Sequence, residues 1–212
     1  MNNLLKRIIT SIILLSILLL SLLYNSYTWL SLVLLTSFIS FFEFNNLINK
    51  IWIRSPNINY LVKIVSILYL FFFVYAAHII GKNSAFLTLY ILSISVMSDV
   101  GGYIVGKTIG GKKLTKISPN KTISGSIGSF IFSLFPLTIF ITYYEKVEFI
   151  SFLFFTLFLC LISQCGDLVI SFFKRKAKVK DTSNILPGHG GLLDRIDGLV
   201  FVMPIIYLFG KI

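Results

Sequence analysis

Apolar positions in this chain come in long runs, and the polar ones gather between them. Seven runs stand out, over residues 8–23, 29–42, 60–80, 86–108, 124–144, 149–173 and 193–209. Five of them reach seventeen residues or more, the length of apolar helix that crosses a hydrocarbon core ~30 Å thick. The pattern predicts an all-α fold, a polytopic membrane helical bundle with about seven transmembrane helices. The 29–42 run is short and is expected to be tilted, re-entrant or extended toward Leu47. The first run follows Lys6 and Arg7 as a signal peptide's apolar core would. Residues 22–27 read LLYNSY, without a small-x-small cleavage site, so an uncleaved anchor is expected. No internal repeat or low-complexity linker breaks the chain.

Charge adds an orientation. Only 13% of residues are charged and mean hydropathy is +0.90, which excludes a soluble domain, where charge runs at ~25%. The net charge of +11 would suggest nucleic acid in a soluble protein. Here the positions of the cations matter more than their sum, and no nucleic-acid partner is expected. With a cytoplasmic N-terminus, sixteen of the nineteen Lys and Arg fall inside and only Lys82, Lys146 and Lys211 outside. That asymmetry predicts that the polar loops lie in the cytoplasm, and a bacterial inner-membrane location is expected. Cys160 and Cys165 share one apolar run and read as small buried hydrophobes. Trp29 and Trp52 are expected at the membrane interface, as is His78. Glu43 is expected to meet Lys50 or solvent, and Glu145 and Glu148 carry no visible chemistry.

The polar stretch 171–197 concentrates the chemistry. It holds six of the nineteen cations, three of the eight acids and His189 beside Gly190 and Gly191. Cations, carboxylates and a glycine pair at a membrane surface suit phosphate chemistry assisted by a divalent metal. Asp99 lies eight residues before Lys107 and Asp167 seven before Lys174. At 1.5 Å per residue those acids sit ~12 Å and ~10 Å from the cytoplasmic ends of their helices. Asp194 and Asp197, three apart, open the last run on one helix face. Each intramembrane carboxylate costs several kcal/mol unless it meets a cavity, cation or metal. A shared, cytoplasm-facing polar cavity is therefore expected for the four. Residues 101–108 also satisfy the expression G-x-x-x-x-G-K-[ST], but at the end of a predicted helix they would offer carbonyls where phosphate needs amides. Gly102, Gly106 and Gly110 read instead as a close-packing face.

Ser171, Lys174, Arg175, Lys180, Asp181, His189, Gly190, Gly191, Asp194, Arg195 and Asp197 stand at the fixed spacings of a known pattern. The stretch resembles the signature of the phosphatidate cytidylyltransferases, or CDP-diacylglycerol synthases. The loop 110–125 resembles the family's second region, with Asn120 where a Lys is usual and Ser124 where a Glu is expected. Asp99-x-x-Gly102-Tyr103 and Gly166-Asp167-Leu168 also resemble the family's wording, so the likeness runs from about Asp99 to residue 212. On this resemblance residues 84–212 are the catalytic region, and residues 1–83 supply scaffold, substrate or dimer contacts.

The resemblance implies transfer of a cytidylyl group from CTP to phosphatidate, giving CDP-diacylglycerol and pyrophosphate. It implies Mg2+, with a second cation as an option, held by Asp167 and Asp194 and, as further candidates, Asp197 and Asp99. Asp167, Asp194, Lys174 and Arg195 are the expected catalytic residues. Lys121, Ser171, Arg175, Lys180, His189, Gly190 and Gly191 are expected to bind substrate. CTP, phosphatidate and membrane lipid are the expected partners, and a homodimer stays open. Two other readings remain: a cytidylyltransferase for another lipid phosphate, whose tail contacts would be ordinary Leu, Ile and Phe, and a cation-coupled transporter using Asp99 and Asp167.

Overall fold

The computed structural model describes residues 3–115, 117–143 and 148–209. Among them the chain forms α1 (Asn3–Tyr24), α2 (Ser26–Ile51), α3 (Pro56–Asn83), α4 (Ala85–Thr108), α5 (Ile123–Ser133), α6 (Phe135–Phe140), α7 (Phe149–Lys176), α8 (Leu193–Ile196) and α9 (Leu199–Phe209). No strand occurs among the described residues; two isolated antiparallel bridges join Lys113 to Thr122 and Leu186 to Gly190. By length and composition α2, α3, α4, the Ile123–Phe140 stretch and α7 can each cross a membrane. Ile8–Tyr24 and Leu199–Phe209 are shorter apolar helices. The protein is an integral membrane protein. Three of the cations used to count sides, Lys116, Lys146 and Lys211, lie outside the described residues, as do Tyr144 and Glu145.

Local chemistry sets the helix ends. The Asn25 side chain accepts from Thr28 N at 2.8 Å, and Thr28 Oγ1 accepts from Asn25 N, a reciprocal cap that contributes ~1 kcal/mol. α2 then runs to Ile51, nine residues beyond the apolar run, because its last turns are packed despite being polar. α4 stops where Gly110 turns left-handed at φ 64° and donates back to Gly106 O. Pro136 lacks an amide hydrogen and divides the 124–144 run into α5 and α6. The last run is divided too: Gly198 N donates to Asp197 Oδ1 at 2.8 Å, and the Gly198 carbonyl starts α9.

The chain divides into two compact units, Met1–Ala85 with Phe173–Ile212, and Phe86–Phe172. In the first, α2 packs on α1, α3 and α8, and α3 on α9. Trp29 is buried there: its indole Nε1 donates to Ala77 O at 2.8 Å, and Gly81 leaves room for the ring. Trp52 is half-buried near Phe173, with ring centroids 6.3 Å apart. His78 is half-buried, with Nδ1 unpartnered among the described residues. In the second unit α4 and α5 come into backbone contact at glycines: a Cβ on Gly101 would lie 2.4 Å from Gly128 O, and one on Gly102 2.7 Å from Ser129 Oγ. Buried hydroxyls tie α4 to α7, Ser95 to Ser163 at 2.9 Å and Tyr90 to Thr156. Such bonds are how polar side chains hold apolar helices together where burial from water drives little. Cys160 is buried here as expected, whereas Cys165 is exposed.

Candidate functional site

In the first unit the site grows from the C-terminal end of α7. Its last turn carries Lys174, Arg175 and Lys176, and a left-handed Lys178, φ 56°, reverses the chain. Val179 N closes the turn on Lys174 O at 3.0 Å. The returning loop wraps the carboxylate of Asp194. Lys174 Nζ donates to Oδ1 at 2.7 Å, and the amides of Thr182 and Gly191 donate to Oδ2 at 2.8 and 3.0 Å. The Asp194 side chain is only 5% exposed and that of Lys174 11%, so the pair is largely desolvated.

A second acid completes this arrangement. Glu43, on α2, is 1% exposed and meets neither Lys50 nor solvent as its place in the sequence suggested. Its Oε1 accepts from Ser183 Oγ at 2.5 Å and Leu192 N at 2.9 Å; its Oε2 accepts from Thr182 Oγ1 at 2.9 Å and Leu193 N at 2.7 Å. Four donors fill the two oxygens of an ionised carboxylate. The Thr182 hydroxyl also lies 3.0 Å from Asp194 Oδ2. It has one proton, and two amides already serve that Asp194 oxygen, so the donor count assigns the proton to Glu43.

The glycine pair answers to these acids. Gly190 adopts φ 85°, which favours glycine. Gly191 has no such angle; its constraint is space. A Cβ there would lie 1.9 Å from Thr182 Oγ1 and 2.8 Å from both Glu43 oxygens. The cations around the loop face outward: Arg175, Lys180 and Arg195 are exposed. Arg195 Nη2 and Nε both donate to the carbonyl of His189, at 2.6 and 3.2 Å, and Arg175 reaches Val179 O. The His189 ring, expected to hold nucleotide, is engaged by α1, with Nδ1 2.7 Å from Thr10 Oγ1 and Nε2 3.2 Å from Ser11 Oγ. Asp197 is buried at the α8–α9 break.

The second unit carries the other expected residues. Lys121 forms an ion pair with Asp167 Oδ2, and Ser171 Oγ donates to Asp167 Oδ1 at 3.2 Å. The loop that presents Lys121 is closed by Leu114 N to Lys121 O at 2.8 Å and by Ile123 N to Lys112 O at 3.0 Å. Thr122 caps α5, accepting from Gly125 N at 3.0 Å. Ser124 donates to Gly110 O and so ties the loop to the end of α4. Residues 101–108 are helical throughout, with Thr108 bonded to Ile104 O, so they form no phosphate cradle. Gly106 packs on α5 as expected, but Gly110 does not: its Cβ position is open, and it serves as the helix stop. Asp99 is exposed on α4.

Of the four acids expected to share a polar cavity, Asp99 and Asp167 belong to one unit and Asp194 and Asp197 to the other. Among the described residues no three His, Cys, Asp or Glu side chains gather as a metal-holding group. Asp167 still fits Mg2+ by its donor chemistry. Its side chain is 23% exposed, and Lys121 and Ser171 leave further lone pairs on hard carboxylate oxygens. Mg2+ commonly takes one or two carboxylates and draws its other ligands from water and substrate phosphates.

The sequence model of the cytidylyltransferase family matches residues 58–212. The chain belongs to the cytidylyltransferase family. It is similar to the phosphatidate cytidylyltransferase of Bacillus subtilis, 49% identical over 112 residues. The enzymes of that name from Staphylococcus saprophyticus and Staphylococcus aureus are 46% identical over 112 residues and 48% over 122. The matches cover 52–56% of this chain and 42–46% of those relatives. The chain therefore spans less than half the length of the curated relatives it matches.

Sequence reasoning missed Glu43. A signal was present: Glu43 is a lone acid at the edge of an apolar run, between Phe42 and Phe44, and an ionisable residue so placed is a functional candidate by default.

Proposed function

We propose that this chain transfers a cytidylyl group from CTP to phosphatidate, giving CDP-diacylglycerol and pyrophosphate. A phosphate oxygen of the lipid attacks the α-phosphorus of CTP. The bond from that phosphorus to the bridging oxygen breaks, and pyrophosphate leaves with the electron pair. No nucleophilic side chain is required, so the chain's task is to bring two anions together and orient them.

One observation carries this reading: the loop holds the Asp194 carboxylate inside with Lys174 and presents Arg175, Lys180 and Arg195 on its outside. Asp194 and Glu43 are spent on holding backbone. Arg175, Lys180 and Arg195 are exposed, and none forms an ion pair with a carboxylate among the described residues. Lys121 and Lys174 each give one ammonium proton to an acid and keep others for a phosphate oxygen. Bound at Asp167, with Asp99, Asp194 and Asp197 as further candidate ligands, Mg2+ would neutralise the triphosphate and stabilise the pyrophosphate leaving group. The loops face the cytoplasm, where CTP is available, and the lipid keeps its tails in the bilayer.

The test is a product assay on the purified protein with CTP, Mg2+ and a panel of lipid phosphates. Equimolar CDP-diacylglycerol and pyrophosphate with phosphatidate is the expected result. Turnover only with a polyprenyl or ether-lipid phosphate would replace the lipid in this reading. Failure to bind CTP would favour the transporter.

A further inference from the structure

We propose that Glu43 is a positioning residue of the cytidylyl-transfer site: through Thr182, Ser183, Leu192 and Leu193 it fixes both ends of the loop that presents Asp194, Gly190 and Gly191. The inference deepens the functional reading above and rests on it. Two independent features support it.

The first is the donor set. Glu43 is 139 to 150 residues away in sequence from the four groups it accepts from, two hydroxyls at the start of the loop and two amides at its end. Thr182 N and Gly191 N, which serve Asp194, lie beside these contacts along the chain. One carboxylate thus sets the backbone that holds the other. The second feature is Gly191. Its lack of a side chain is not explained by backbone angle; it is explained first by Thr182 Oγ1, which Glu43 holds in place, and then by the two Glu43 oxygens that a Cβ would meet at 2.8 Å. Part of the glycine pair therefore answers to a residue on α2. Residue 43 lies before position 58, where the family match begins, so that stretch does not contain everything the loop needs.

Glu43→Gln tests this with hydrogen exchange and steady-state kinetics on the full chain in detergent. Each Glu43 oxygen serves one hydroxyl and one amide. Whichever way the Gln amide turns, its NH2 faces one hydroxyl, which can rotate and accept, and one backbone N–H, which cannot. Exchange in the Leu192–Leu193 peptide should rise by roughly tenfold or more, as for loss of a hydrogen bond to a charged acceptor. Amides of α3 and α9 should keep their protection. The kcat should fall by roughly tenfold while KM for CTP stays within about threefold, because a positioning residue touches no substrate. Gly191→Ala should reproduce both changes, and Glu43→Asp should restore part of the kcat.

Unchanged exchange at Leu192–Leu193 in E43Q would overturn the clamp. Faster exchange with wild-type kcat would overturn the positioning role. Loss of protection throughout α3 and α9 would make Glu43 a general packing residue and overturn it as well. A wild-type chain that makes no CDP-diacylglycerol would remove the functional reading, yet the exchange contrast would still report on the clamp, so the two failures are distinguishable.

Discussion

Two acid–lysine pairs carry the family's residues, and they are built to different standards. Asp194 and Lys174 are desolvated, with side chains 5% and 11% exposed, and the acid is further held by two amides. Asp167 and Lys121 are 23% and 29% exposed, and a single hydroxyl supports the acid. A buried pair is strongly destabilising when one partner is removed, because the other is left as an uncompensated charge. A pair about a quarter exposed, as that of Asp167 and Lys121 is, costs less to break where a water-filled cavity reaches it, since water takes the place of the partner. The same two residue types therefore do different work. Asp194 takes three donors that hold a loop together, whereas Asp167 takes two and keeps more of its surface open.

Lys174→Met breaks that comparison most severely. It should cost ~3–5 kcal/mol by stranding Asp194, seen as a large fall in unfolding temperature in detergent. Asp194→Asn should come close, because its amide NH2 must face either Lys174 or two backbone N–H groups. Near-wild-type stability in either variant would erase the difference between the pairs. Lys121→Met sharpens the contrast: the expected loss is ~0–1 kcal/mol, with impaired turnover, and a loss as large as that of Lys174→Met would contradict it. Arg195→Lys is expected to have a smaller effect. The guanidinium gives two donors to one His189 carbonyl, and Lys can supply one of them, so roughly a few-fold change in kcat/KM is expected. The smallest effect belongs to Lys178→Gly, which relieves a left-handed non-glycine residue and should raise stability by ~0.5–1 kcal/mol.

The sequence made the helices legible because apolar length is a local property. Each of the seven runs is occupied by helix among the described residues. The ends were less legible where polar residues are packed, as from Glu43 to Ile51 at the end of α2, or where one residue breaks a run, as at Pro136 and Gly198. The family residues were legible as a list at fixed spacings. Their partners were not. Nothing near Glu43 in sequence announces donors more than 130 residues away. The engagement of His189 by Thr10 and Ser11 is equally remote. Gly191 shows how a motif can carry half of such a contact: the glycine was visible, but the Thr182 hydroxyl and Glu43 carboxylate packed against it were not.

The central claim is that Asp167 serves the reaction while the fold does not depend on it. Asp167→Asn, assayed for CDP-diacylglycerol formation from CTP and phosphatidate and for its unfolding temperature on the same preparation, tests this directly. Product formation should fall by roughly two orders of magnitude, with an unfolding temperature within ~4 °C of wild type. Wild-type rates at limiting Mg2+, or a stability loss matching that of Asp194→Asn, would contradict it.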